Sequence, residues 1–288
     1  MSHGKRICDA NTPEWHEHRA RGIGASEIAA VLGMSPHEEA VDVYYEKVIH
    51  QMHQNGVPIA DIAGELDVAE EFVMETLNPQ DSDEMWFGRA AEDLIKEGFE
   101  RFTGIRVIQK ECGLYQHSEL PWMLATPDAL LEPDETNRLL ETKSLDQWYA
   151  GHLGVSKADV DQLPASVATW HLQAQQQMEV VAIPVVMFGV LIGRRVKAFK
   201  VERDERLVKA IKEGGQEMWE RIENRDPPAP NFEHPKALTL QKRLHREVEA
   251  TRIWLSEEGV IRVQRRRTIK EQLKGLGKEL DAIDAAIL

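Results

Sequence analysis

Apolar residues along this chain recur at two periods, and the switches between them mark its elements. Three- and four-residue spacing predicts an amphipathic helix over 86–102, ended by Thr103-Gly104. It predicts another opened by Pro164, in which Val167, Trp170, Ala174, Met178 and Val181 form one apolar row. Gln173 and Gln177 share a different row of that helix with Thr169. A further helix starts at Ser35-Pro36 and runs through Tyr44 and Tyr45 to about residue 50, and Asp204 caps one that reaches about residue 223. Short apolar runs predict strands at 105–108, 113–116, 122–131, 138–144, 185–192 and 195–202, the last two joined by Gly193-Arg194. Residues 15–33 read as a short helix, a glycine turn and a second helix capped by Ser26, and 145–163 as a long loop or lid.

Beyond the proline-rich stretch from Asp226 to Pro230 the pattern changes. Leu240, Leu244 and Val248 start a helix that Gly259 interrupts. Ile269, Leu273, Leu276, Leu280, Ile283 and Ile287 then repeat at spacings of 4, 3, 4, 3 and 4, a heptad seam. The division is a main domain over 1–226 and, over 227–288, a helical hairpin or coiled-coil extension suited to self-association, or a tail packed on the main domain. Gly275 and Gly277 weaken the seam helix by about 1 kcal/mol each relative to alanine.

Composition narrows the function classes. The net charge of −14 is unevenly placed: between residues 48 and 88 there are nine Asp or Glu and no Lys or Arg. This segment, about 50–85, reads as a solvated acidic insertion. Bulk attraction to polyanions is therefore weak, and any phosphate-binding surface must be local and cation-assisted. The longest apolar run, 183–192, is too short to span a bilayer, and the N-terminus lacks an apolar signal segment, so a cytoplasmic protein is expected. Cys8 and Cys112 are too few for a four-thiolate cluster.

The chemistry concentrates in 124–143. Asp128 follows Pro127 at the end of one apolar run, and Glu141 and Lys143, two residues apart on the next, project from one strand face. If the runs pair as a hairpin, two carboxylates and an ammonium converge, a set that suits a hard divalent cation and the water it activates. On the 86–102 helix, Glu92 shares a row with Gly88, Ile95 and Phe99, so its carboxylate needs a cation, or a salt bridge to Arg89 or Lys96 at the helix edge. Arg19 and Arg21 precede the glycine turn and Ser26. Together they could hold a phosphate, or read equally as solvated arginines beside a capped helix.

The order of these motifs, RARGIGASE at 19–27, GRAAED at 88–93, FTGI at 102–105, TPDAL at 126–130, LETK at 140–143 and LQAQQQM at 172–178, resembles the PD-(D/E)xK nuclease superfamily. Within it, the chain is similar to the lambda exonuclease or YqaJ-like viral recombinase family over roughly residues 13–223. The resemblance implies an α/β (α+β) restriction-endonuclease-like core, a central mixed sheet flanked by helices, here with the C-terminal helical extension. It implies a Mg²⁺-dependent 5′-to-3′ exonuclease on double-stranded DNA ends, with Mn²⁺ able to substitute. Such an enzyme works with a single-strand annealing protein in phage-type recombination, as a homo-oligomer that is trimeric in the family. Carried over, Asp128, Glu141 and the Thr142 carbonyl bind metal and Glu92 completes the cluster. Lys143 orients and helps deprotonate the attacking water, and Gln173 supports that water or the lysine. Arg19 and Ser26, or Arg21 in place of Arg19, receive the 5′ phosphate. The alternatives are an endonuclease or single-strand repair nuclease of the same fold, or a nuclease-derived DNA-binding or assembly module.

Overall fold

A computed structural model describes residues 4–155, 164, 167–245 and 254–287. The chain divides into two units, Met1–Arg246 and Glu247–Leu288. In the first, the expected α/β architecture of mixed sheet flanked by helices is present, with the strands in two mixed sheets. One runs β1 (Lys5–Cys8), β4 (Leu114–Gln116), β5 (Met123–Ala125), β2 (Ile23–Gly24); the other runs β3 (Val107–Gln109), β6 (Ala129–Leu131), β7 (Arg138–Leu145), β8 (Val185–Ile192), β9 (Arg195–Glu202). The expected strand over 122–131 is cut at Thr126-Pro127-Asp128, so β5 ends in the first sheet and β6 begins in the second. Proline has no N–H for the ladder, and the chain changes sheets where it stands.

The five-stranded sheet carries the chemistry. β6 and β7 pair antiparallel, with Ala129 opposite Leu140, whereas β7 and β8 run parallel over their full length. A parallel pair needs a crossover. The described part of this one holds α7 (Gln147–His152), inside the segment expected to be a loop, and α8 (Ala168–Val181); residues 156–163 of the expected lid lie outside the described residues. α8 sends Leu172 and Val180 into one core cluster and Ala174 and Met178 into another beneath β8. Its apolar residues therefore serve both sheets. α6 (Asp83–Thr103), capped by the Ser82 hydroxyl, which accepts from the Met85 N–H, buries Ile95 and Phe99 against the sheet. Each such side chain contributes about 1.5–3 kcal/mol. Gly98 permits this approach: a Cβ there would lie 2.6 Å from Val196 Cγ2.

Residues 15–33 differ from expectation. α1 (Pro13–Arg19) is capped by Thr12, the glycine turn is largely β2, and α2 (Ile28–Val31) is one turn long with Glu27, not Ser26, at its N-cap. The reason is pairing. Ile23 N–H donates to Trp122 O at 2.6 Å, and Gly22 allows the contact because a Cβ would stand 2.6 Å from that same oxygen. The acidic segment is not a solvated insertion. After α3 (Ala40–Gln54), α4 (Ile59–Leu66) and α5 (Glu70–Leu77) bury Ile62, Ala63, Phe72 and Val73 in the largest core cluster, with the acids turned outward. α9 (Glu205–Asn224) and α10 (Ala237–Leu244) complete the unit. Leu240 and Leu244 join the same cluster, so the first unit extends past residue 226.

The second unit, among its described residues, is one helix, α11 (Glu257–Ile287). Gly259 does not interrupt it: the residue sits in the first turn, where its N–H donates to Ser256 Oγ at 3.1 Å. Val248 lies outside the described residues.

Candidate active site

Strand alternation puts Glu141 and Lys143 on one face of β7, and Lys143 Nζ lies 2.8 Å from Glu141 Oε1. The hairpin register sets Asp128, just before β6, beside them. The Thr142 N–H and hydroxyl both donate to Asp128 Oδ2 at 2.7 Å. A strand residue turns its N–H and C=O to the same edge, which directs the Thr142 carbonyl to the Asp128 side. α8 crosses the sheet and supplies Gln173, which donates to Glu141 Oε1 at 2.6 Å and accepts from Lys143 Nζ at 3.0 Å. One turn on, Gln177 donates to Glu141 Oε2 at 2.7 Å from a fully buried position.

The electrostatics follow from burial. Burial and the nearby Glu141 charge push the Asp128 carboxyl up to about 7, against the pull of Lys143 and the Thr142 hydrogen bonds. For Lys143, burial opposes the charge, but Glu141, Asp128 and Glu92 outweigh it and hold the ammonium above its ordinary range.

Glu92 is set back. Its carboxylate is half-exposed and lies 3.5 Å from Lys96 Nζ, the helix-edge pairing, while its charge still reaches Lys143. Among the described residues no three His, Cys, Asp or Glu are close enough to share a metal ion. The donors that do fit a hard cation are the Asp128 and Glu141 carboxylates and the Thr142 carbonyl. Two crowded carboxylates are what such a cation relieves, and Mg²⁺ takes few carboxylates and keeps its waters.

The phosphate candidates separate. Arg19 pairs with buried Glu27, which also binds fully buried Lys47 at 2.8 Å. Burial opposes this carboxylate, yet Arg19 and Lys47 hold it down at about 2. The Arg19 guanidinium sits 4.9 Å above the Trp15 ring, and the Trp15 indole donates to Thr126 Oγ1 at 3.1 Å, two residues before Asp128. Ser26 is exposed in the turn after β2 without a capping bond, and Arg21 is exposed. A cleft of about 1310 Å³ opens beside Arg19, lined also by Trp15, His16, Arg89, Lys236 and Arg243. Asp128 and Glu141 are not part of its wall.

Comparison places this arrangement. The alkaline exonuclease LHK-Exo of Laribacter hongkongensis superposes with a TM-score of 0.51 at 19% identity, over 75% of this chain and 94% of that one. Its complex with dAMP superposes with a TM-score of 0.52, also at 19% identity, over 80% and 99%. The chain thus shares the fold of that alkaline exonuclease, with Asp128, Glu141 and Lys143 gathered at its β6–β7 hairpin. It belongs to the YqaJ-like viral recombinase family, whose domain model matches residues 14–182. The YqaJ protein of Bacillus subtilis (strain 168) is 24% identical over 275 residues, covering 93% of this chain and 75% of that protein. No described helix is long and apolar enough to cross a membrane.

Proposed function

We propose that the chain is a Mg²⁺-dependent exonuclease that degrades linear double-stranded DNA 5′ to 3′ from its ends in the cytoplasm. It would serve phage-type recombination with a single-strand annealing protein, as a homo-oligomer. The observation that carries this reading is the closed set Asp128, Glu141, Lys143 and Gln173: two closely set carboxylates, that of Glu141 buried, an ammonium and an amide within one hydrogen-bond network.

Asp128, Glu141 and the Thr142 carbonyl would hold the cation, with Glu92 reaching it through water, and Mn²⁺ would substitute. The cation lowers the pKa of a bound water and offsets the scissile phosphate's charge. The protein supplies position and proton handling. Gln173 and Gln177 fix both oxygens of Glu141, so that carboxylate enters the reaction already oriented. Lys143 keeps its proton because Glu141 and Asp128 are negative. With that charge offset by a bound cation, the Lys143 ammonium would release a proton to solvent, and the free amine so formed would take the proton of the attacking water and, as an ammonium again, donate a hydrogen bond to the phosphorane oxygen. Arg19, stacked on Trp15, whose indole bonds Thr126 two residues before Asp128, would receive the terminal 5′ phosphate, with Ser26 and, in place of Arg19, Arg21 as the other candidates.

Digestion of linear, nicked and closed circular duplexes with and without Mg²⁺, following which strand end shortens, tests the reading. Shortening of linear duplex from 5′ ends only when Mg²⁺ is present is expected. Cutting of closed circles, or loss of 3′ ends, overturns it.

A further inference from the structure

The 31-residue helix α11 is about 46 Å long at 1.5 Å per residue. Its heptad stripe is solvent-facing: Leu273, Leu276 and Leu280 are each about 60% exposed, and Ile269, Ile283 and Ile287 are exposed as well. Among the described residues of its own unit there is no second element to cover it. A helix carrying two interior glycines gains most of its stability by burying such a stripe.

The charges flanking the stripe say what covers it. Residues 262–270 carry Arg262, Arg265, Arg266, Arg267 and Lys270 and no acid, while 279–287 carry Glu279, Asp281 and Asp284 and no base. With Leu273 and Leu280 at a and Leu276 at d, Arg265 and Glu279 fall at g, and Lys270 and Asp284 at e. Parallel pairing sets g against the partner's e, so Arg265 would meet Lys270 and Glu279 would meet Asp284, like against like. Antiparallel pairing sets g against g and e against e, giving Arg265 with Glu279 and Lys270 with Asp284. The register that lays 262–270 on 279–287 also layers Ile269 on Leu280 and Leu273 on Leu276. It leaves Ile283 and Ile287 under the methylene stems of Arg266 and Arg262. We propose that α11 is a self-association element that pairs antiparallel with α11 of a second copy of this chain in this register.

Single cysteines in the full chain test it, since Cys8 and Cys112 are buried. Ile269→Cys and Leu280→Cys proteins carrying different tags, mixed and oxidised, should give the mixed disulfide, and Ile269→Cys alone should give none. In a parallel pair the two positions are about 16 Å apart along the axis. A disulfide in Ile269→Cys alone, or none in the mixture, overturns the proposal. A second measurement needs no cysteine. Reversing Arg265, Arg266 and Arg267 to Glu should lower the mass seen by light scattering. Adding Glu279→Lys, Asp281→Lys and Asp284→Lys to the same chain should restore it. A mass unchanged by the first reversal, or not recovered by the second, overturns the pairing.

Discussion

Gln177 reaches Glu141 from below the sheet, its amide 2.7 Å from Oε2 and its side chain wholly buried. The other oxygen of Glu141 is engaged by Gln173 and Lys143, so the carboxylate cannot rotate. Gln177→Ala should lower kcat by roughly 10- to 100-fold, the usual cost of losing a group that orients a metal ligand, with KM for DNA little changed. Steady-state kinetics on linear duplex decide this, and an unaltered kcat would remove Gln177 from the site.

In the proposed mechanism Asp128 and Lys143 carry the chemistry. Asp128→Ala and Lys143→Ala should each lower cleavage by about a thousandfold or more while DNA binding and folding persist. Retained Mg²⁺-dependent degradation in either variant contradicts the assignment.

Burial, with repulsion from Glu141, raises Asp128 to about 7, so protons and cations compete for the same oxygens. Mg²⁺ or Mn²⁺ should raise the Tm of the wild-type protein, and the concentration required should climb as pH falls below about 7. Asp128→Asn should show no such shift. An equal response in calorimetry of the variant would place the cation elsewhere.

Arg19→Ala should reduce discrimination between 5′-phosphoryl and 5′-hydroxyl ends by about ten- to a hundredfold, the worth of a charged hydrogen bond. Arg19→Lys should keep part of it. A competition assay with the two ends reads the ratio, and an unchanged ratio in Arg19→Ala takes the residue out of that role.

Glu179 on α8 faces Lys212, Arg203 and His117 Nε2, the last at 3.2 Å. Burial disfavours its charge, but Lys212 and Arg203 bring it from near 4.5 down to about 2. The unfolded chain therefore binds the extra proton first. This carboxylate contributes stability above about pH 4.5 that drains away as pH falls toward 2. Urea midpoints across that window should fall steeply for wild type and less steeply for Glu179→Gln; matching slopes would assign the acid sensitivity to other groups.

Much of the site was legible because strand alternation alone puts Glu141 and Lys143 together and hairpin logic adds Asp128. Gln173 was reached through motif order, and Gln177, on the same row, carried the same signal without a partner to give it meaning. Glu92 was legible as a pair of alternatives, a cation or a helix-edge salt bridge, and the pairing with Lys96 is the one the structure shows. The division of 122–131 between two sheets was masked by an unbroken apolar run, in which only Pro127 signals the change. The 50–85 acids hid a buried face, since Ile62, Ala63, Phe72 and Val73 are few among many charges. Ser26 seemed a cap because serine caps well, but pairing of Ile23 with Trp122 moved the helix start to Glu27.

The passage of the chain from one sheet to the other at Thr126-Pro127-Asp128 has a mechanical corollary. Asp128 is fastened to one sheet by Thr142 and tethered to the other through Thr126 and Trp15, which also carries Arg19. Relative slippage of the sheets would displace Asp128 and Arg19 in the same stroke. On the proposed roles of these residues the two sheets would act as a calliper, the spacing between a gripped terminus and the scissile bond being set by their tertiary alignment.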